Sequence, residues 1–326
     1  MARVGIIFGG ENIKVVHSEK GVLYTNLSYV NWDSKNQEIV AIGNEAKKLQ
    51  DRLTGPFKVV RPFLNGTIMD EVIFDKFFDL IMNPLKNDLI GNEIIVGMNI
   101  DANDEVIRHF YEKLEAYQPK SVSFAPTILL AAIGSGVDIA DEYGTIVLNI
   151  GYTNTTAAII IDNQLLSHKS ISFAEEYLND NLLIFFKEHF KIIISDEEVE
   201  RVKYHLATVS NNYPDVQLVI VGRHLLTNKR EEILVTSQDV KKIFTSLFAN
   251  YRAMIIRLLE SSPVYVRTGI GKNGLCVTGV LSKIHGVKDY FVDFFEFPTL
   301  INYDSDDAVA AGIMKVNLNE LKKSSS

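Results

Sequence analysis

Three short stretches carry residue types that could handle phosphates. The first, VGIIFGGEN over residues 4–12, reads as a buried strand running into a glycine turn. Such a turn can aim backbone N–H groups at phosphate oxygens. A loop that handles metal-bound phosphates usually has a carboxylate beside it. Here the strand ends in Ile7 and Phe8, and the only carboxylate, Glu11, lies inside the turn with Gly9, Gly10 and Asn12. These residues alone leave three readings open: a phosphate site, a damaged one, or a plain hairpin. The second stretch is the turn Gly151-Tyr152-Thr153-Asn154, which follows an apolar run containing Asn149. The third is Thr278-Gly279-Val280-Leu281, a strand entering a glycine. Glu200 and Lys203, three apart on an expected helix, suit either a ligand contact or an exposed charged face.

Other chemistries find less support. Seven His residues are scattered without an H-x-x-x-H pair, which argues against zinc, and no metal ligands are expected. The single Cys276 excludes an internal disulfide framework and reads as a buried, inert thiol rather than a nucleophile. The chain is acidic, with a net charge of −8 and no long Lys/Arg run, which argues against nucleic acid as a partner. No stretch reaches the ~18 apolar residues of a membrane span. Residues 1–3 precede only a short apolar run broken by glycines, so no signal peptide is expected and the cytoplasm is the default location.

The elements that must position these residues follow from periodicity. Strands are expected over 4–8, 13–18, 21–31 and 38–42, and a short helix over 45–52. Apolar residues at helical spacing predict a helix over 72–85, then a buried strand over 94–98, and helices over 103–117 and 127–136. The opening pattern then returns. Residues 145–150, 155–161 and 164–172 form strand, glycine turn, strand, turn, strand, and a helix follows over 174–190. This weak internal duplication predicts two related α/β lobes. Further helices are expected over 196–207, 237–259 and 308–316, with Thr236 or Ser237 as a cap, and a strand over 275–278. The tail LKKSSS over 321–326 reads as a frayed end.

Six segments, in order and in register from residue 4 to about 316, resemble the MreB family of bacterial actins. They are QEIVAIGNEAKKL (37–49), VVRPFLNGTIMD (59–70), AAIGSG (131–136), ERVK (200–203), VGRHLLTNKREEILVTSQDV (221–240) and AVAAG (308–312). The resemblance implies an α/β, actin-like two-lobed fold with ribonuclease-H-like duplicated lobes and four subdomains around a nucleotide cleft. Carried onto this chain, the lobe I core would be 1–28, 63–143 and 308–326, with a small β-rich subdomain at 29–62. The lobe II core would be 144–176 and 240–307, with a small subdomain at 177–239. The resemblance also implies filaments of the chain with itself, lying at the inner face of the cell membrane.

The family's nucleotide residues map onto Gly9, Gly10, Glu11 and Asn12, onto Asn149, Gly151, Tyr152, Thr153 and Asn154, onto Glu200 and Lys203, and onto Gly279 and Val280. Most of them depart from the family pattern. Ile7 stands where the family has a metal-shell Asp, and Asn149 replaces the second acidic residue. Tyr152 replaces a glycine, Val280 and Leu281 replace glycines on the adenine side, and Ala125 stands at the catalytic Glu position. Alanine cannot orient a water, and losing a positioned base typically costs about 10²–10⁴ in rate. The implied reading is a pseudo-ATPase, with ATP or ADP bound under weakened Mg²⁺ dependence or not bound at all.

The alternatives are a slow but active ATPase or kinase of the superfamily, for which Asp101 is the one spare carboxylate, and a non-hydrolysing regulator that co-assembles with a paralogous subunit. A peripheral membrane contact through Leu85, Leu89 and Ile90, in an expected loop over 83–91, is the sharper alternative to ordinary loop packing. Trp32 is expected to be packed or half-exposed rather than an interface anchor. The aromatic run 291–297 (FVDFFEF) is expected in the core, with a filament contact as the alternative. High Ile, Asn and Lys content suggests an AT-rich genome and, with the resemblance, a wall-less relative.

Overall fold

The computed structural model describes residues 2–50, 52–304 and 307–319. The chain forms two compact units. One is Met1–Gly136 with Asp307–Leu318, and the other is built on Val137–Asp306.

Each unit is organised by a five-stranded sheet, and the two sheets share one topology. In the first unit, Arg3–Phe8 pairs antiparallel with Asn12–His17, which pairs antiparallel with Gly21–Leu27. On its other side Arg3–Phe8 lies parallel to Glu93–Met98, followed by Ser121–Pro126. In the second unit the order is Gln164–Ile171, Thr155–Ile161, Thr145–Ile150, Leu275–Gly279 and Thr299–Ile301, with the same directions. The sequence pattern at residues 145–172 therefore does repeat that of the opening residues as structure.

Alternation sets the faces of the first sheet. Val4, Ile6 and Phe8 are buried in one core with Phe74, Phe78 and Phe110. The Phe8 ring meets Phe110 edge-on at 5.1 Å. The helices that bring these aromatics are each capped by a side chain. Asp70 accepts the Ile73 N–H at the start of Glu71–Met82, and Asn103 accepts the Val106 N–H at the start of Asp104–Glu115. The opposite face of the sheet carries helices Thr127–Gly134 and Ala308–Lys315, which cross through glycines. In the second unit the long helix Ser237–Glu260 begins with a full capping box between Thr236 and Asp239. Its buried stripe, from Val240 through Phe244, Phe248 and Tyr251 to Leu258, anchors that unit's core.

Several expectations are corrected. The single strand expected over 21–31 is two strands, Gly21–Leu27 and Val30–Asp33, in different sheets. The break falls at Ser28, whose N–H donates to the Glu11 carbonyl at 2.7 Å and pulls the chain toward the first turn. The helix expected over 174–190 ends at Phe185 and widens into the turn Phe186–Phe190, which Lys191 closes with a left-handed φ of 58°. The loop expected over 83–91 is instead the turn Asn83–Leu85 and the short helix Lys86–Leu89. The hairpin Gln217–His224/Arg230–Thr236 and the helices Val264–Asn273 and Val287–Phe295 are additional elements. The tail over 321–326, expected to fray, lies outside the described residues.

Residues 137–144 are tied down by Asp141, which accepts the Tyr143 N–H at 2.7 Å and the Asn273 side-chain amide at 2.8 Å. These bonds hold its carboxyl below the ordinary value. A lowered carboxylate adds stability above its unfolded value and loses it as pH falls through the folded one. Asn273→Ala is therefore expected to shift the acid limb of unfolding to higher pH. A circular-dichroism pH titration checks this, and coincident acid limbs would refute it.

Candidate functional site

The two glycine turns are built alike. Gly9 donates its N–H to the Asn12 carbonyl at 2.8 Å, and Gly151 donates to the Asn154 carbonyl at 3.0 Å. A Cβ on either glycine would sit 2.8 Å from that carbonyl oxygen, so both positions require glycine. Each turn closes the hairpin at the C-terminal end of its sheet's central strand.

The surroundings of the first turn resolve the question of Glu11. Its carboxylate pairs with Lys47 Nζ at 3.3 Å, and both side chains are about four-fifths buried, at 21% and 24% exposure. Lys47 and Arg61 lie over the Tyr29 ring, and Arg61 reaches the Gly10 carbonyl at 3.4 Å. The charge that the sequence places in the turn is thus met by a cation from the short helix Gly43–Lys47.

Residues directly opposite one another in neighbouring strands share a face. One such row crosses the first sheet just before the turn: Lys14, Ile7, Gly97 and Ala125. Gly97 looks onto Thr127 and Val309, in the first turns of the two helices on that face. Lys14 forms an ion pair with Asp307, which precedes helix Ala308–Lys315. Ala125 is buried at 2% exposure.

The equivalent row of the second sheet is Ser170, Thr156, Asn149 and Thr278. Every member is polar. The Thr156 and Ser170 hydroxyls are 3.1 Å apart, while the buried Thr278 hydroxyl has no hydrogen-bond partner among the described residues. Such an orphan marks a place that a polar ligand or water would satisfy. Gly279 follows with φ +94°, and its Cβ would fall 2.1 Å from the Ile150 carbonyl oxygen. The glycine lets this strand end beside the second turn. Val280 is half-exposed at 42%, whereas Leu281 is buried in the core of the second unit.

The second turn rests on a helix that sequence reasoning did not single out. The N–H of Glu175 donates to the Gly151 carbonyl at 3.2 Å, and that of Glu176 to the Tyr152 carbonyl at 2.8 Å. The Glu175 carboxylate is bound by Lys203 at 2.5 Å, with side-chain exposures of 6% and 8%. Lys203 also pairs with the exposed Glu200 at 2.6 Å. Lys203 is therefore a buried brace between helices Glu175–Phe185 and Asp196–Leu206, and the exposed-face reading holds only for Glu200. The buried ion pair left no periodic signal. An acidic pair at the expected start of a helix, Glu175-Glu176, was the clue available.

A model of the MreB/Mbl protein family matches residues 1–325. The chain belongs to that family. It is 24% identical to the cell shape-determining protein Mbl of Bacillus subtilis over 326 residues, covering 98% of this chain and 97% of that one. The cell shape-determining protein MreB of Escherichia coli is 18% identical over 279 residues, covering 85% and 80%. Among solved structures, MreB5 of Spiroplasma citri bound to ADP superposes with a TM-score of 0.89 at 22% identity, covering 99% of this chain and 98% of that one. A subunit of the MamK double helical filament gives 0.76 at 15%, covering 96% and 98%. The fold is actin-like.

Within this MreB/Mbl chain, the two turns share one backbone form, each closed by a glycine N–H donating to an asparagine carbonyl. The side chains fit Mg²⁺ poorly. That ion prefers carboxylates alongside phosphates; the row of the first unit offers no side-chain oxygen, and that of the second unit offers Asn149 and hydroxyls. Asp101 is exposed, in a turn after strand Glu93–Met98.

The membrane reading of residues 85–90 is largely corrected. Leu89 has no exposed area and belongs to the first unit's core, Leu85 packs against that core, and only Ile90 is exposed. Apolar packing on the chain's own helices has claimed the side chains that a bilayer would need. Trp32 is buried at 3% exposure, Cys276 at 1%, and Phe291 at 0%; Phe294 of the same helix is exposed at 44%.

Proposed function

We propose that this MreB/Mbl chain is a cytoskeletal subunit that assembles with itself into filaments serving cell shape or motility, in the cytoplasm at the inner face of the membrane. We further propose that it binds ATP or ADP with weakened Mg²⁺ dependence and hydrolyses ATP slowly or not at all. Family membership, relatives described as cell shape-determining, and the likeness to a filament subunit support the first part. The likeness to MreB5 bound to ADP and to AMPPNP supports the nucleotide. One observation carries the loss of hydrolysis: Ile7, Gly97 and Ala125 lie abreast at the end of the first sheet, with no carboxylate among them. A head-to-tail interface between identical subunits generates open filaments rather than closed rings. Of the three apolar residues assigned to a membrane contact, the proposal retains Ile90. The four-subdomain boundaries, with small subdomains at 29–62 and 177–239, remain part of this reading.

The decisive experiment pairs ATP calorimetry, with and without Mg²⁺, with phosphate release. It compares the unaltered chain with an Ile7→Asp, Ala125→Glu, Asn149→Asp variant. The expected result is nucleotide binding by both, and phosphate release about 10²-fold or more faster in the variant. Equal release rates would remove the pseudo-ATPase reading. Absence of binding at millimolar ATP would leave a scaffold without nucleotide control.

A second expectation concerns Glu11. Lys47→Ala would remove one cation from beside the Glu11 carboxylate at the first turn, at a cost of about 1 kcal/mol, or roughly fivefold in nucleotide affinity. Adding Glu11→Gln should restore the affinity. A double-mutant cycle by calorimetry measures the coupling, and zero coupling would place Glu11 outside the phosphates' reach.

A further inference from the structure

A groove of about 530 Å³ runs along helix Ser237–Glu260 in the second unit, remote in sequence from both glycine turns. Lys241, Lys242 and Arg252 line it with Asn211, Thr245 and Tyr290, and no carboxylate is among its lining residues. The two ends are set by Lys241 and Arg252, eleven residues apart on one helix and therefore separated by about 16 Å along its axis. Between them the floor is made of small residues, Thr245 and Ala249, which keeps the groove open.

The cations of this groove lack the carboxylate partners that some others in the chain have. Arg3, Lys20, Lys113, Arg201 and Lys203 each have a carboxylate partner. Among the described residues, no carboxylate pairs with Lys241, Lys242 or Arg252. Lys241 Nζ reaches only the Asn211 side-chain oxygen, at 3.4 Å. Arg252 is held by aromatic faces, with its guanidinium 4.3 Å from the Phe294 centroid and 5.8 Å from that of Tyr290. Stacking fixes the plane of the fork and leaves its N–H donors for an oxyanion. The one nearby acid on the same helix, Asp239, is engaged in the capping box. From residue 240 to 259 that helix carries Lys241, Lys242, Arg252 and Arg257 and no Asp or Glu, in a chain of net charge −8.

We propose that this groove is a second anion site, which takes a ligand bearing several phosphate groups in a row. A single phosphate would meet only one end. A chain of phosphates meets the point charges of Lys241 and Lys242 at one end and the bidentate fork of Arg252 at the other. The site stands independently of the nucleotide reading, because none of its residues belongs to the glycine turns or their rows.

The test reads the site itself. The full chain is exposed to an amine-acetylating reagent, and modification of Lys241 and Lys242 is quantified by mass spectrometry, with Lys187 as the control. The arms are tripolyphosphate, anionic phosphatidylglycerol vesicles, and buffer. The expected result is protection of both lysines by about tenfold at saturating tripolyphosphate, no protection of Lys187, and loss of the effect in Arg252→Gln. A Lys242→Gln, Arg252→Gln variant should bind tripolyphosphate at least about tenfold more weakly by calorimetry, with an unchanged melting temperature as the folding control. Protection by vesicles but not by tripolyphosphate would overturn the proposal, because each headgroup brings a single phosphate. The site is refuted if neither agent protects, if Lys187 is protected equally, or if Arg252→Gln leaves protection intact.

Discussion

Gly312→Ala is expected to destabilise the first unit by on the order of 3 kcal/mol, the upper end of what overpacking costs. Helices Thr127–Gly134 and Ala308–Lys315 cross with their backbones in contact. A Cβ on Gly312 would lie 1.8 Å from the Leu130 carbonyl oxygen, and one on Gly134 would lie 1.8 Å from the Ala308 carbonyl oxygen. Both obstacles are backbone, so no side chain can swing aside and the helices must separate. The sign is diagnostic. In an open helix, Gly→Ala gains about 1 kcal/mol, so intrinsic propensity predicts stabilisation where contact predicts loss. At about 2–4 °C per kcal/mol for a unit of this size, the melting temperature should fall by roughly 6–12 °C. A melt within a degree or two of the parent would show that the helices can part freely. The crossing also holds the first turns of both helices against the row of Ile7, Gly97 and Ala125, so the variant should disturb that edge before distant strands.

Removing Lys203 from beside the buried Glu175 carboxylate is expected to cost about 3–5 kcal/mol, because a buried counter-charge is taken away. Lys203→Met should therefore be strongly destabilising, and Glu175→Gln with Lys203→Met together much less so. Chemical denaturation of the four chains of the cycle measures this. Equal losses in the single and double variants would mean that water enters and solvates the Glu175 carboxylate. A second consequence separates this brace from a ligand contact. Since the Glu175 and Glu176 N–H groups hold the Gly151 and Tyr152 carbonyls, the single variant should raise hydrogen exchange in the second turn. A lysine that merely touched ligand would leave that exchange unchanged in the free protein.

The two sheets were legible because their strands are apolar, short and punctuated by glycine or Asp-Asn turns. Residues 145–150 and 155–161 have the bounds that the apolar runs and their turns implied. The cap at Thr236 was legible for a similar reason: a side chain that must accept an N–H can be few residue types. The glycine turns were readable as positions, and their shared Gly-to-Asn closure follows from equal spacing. What stayed hidden depends on contacts distant in sequence. Glu11 meets Lys47 across 36 residues and Glu175 meets Lys203 across 28. No local pattern could say that Leu89 would turn inward while Ile90 turned outward. The small residues of 131–136 and 308–312 were read as family marks, and their physical reason, two backbones in contact, appears only when the helices are brought together. The groove beside helix Ser237–Glu260 had a signal in the run of cations without acids, but that run is shared with any solvated helix face until the lining residues are known.

Cys276 adds one more consequence. It is the chain's sole thiol, and it sits in strand Leu275–Gly279 between Val147 and Leu300, almost wholly covered. A thiol reagent can reach it only when that sheet opens. The rate of labelling is thus a stopwatch for openings of the second unit, and it is blind to the first, which has no cysteine. The unmodified chain already carries the probe needed to time one half of the molecule apart from the other, during nucleotide addition, polyphosphate addition or assembly.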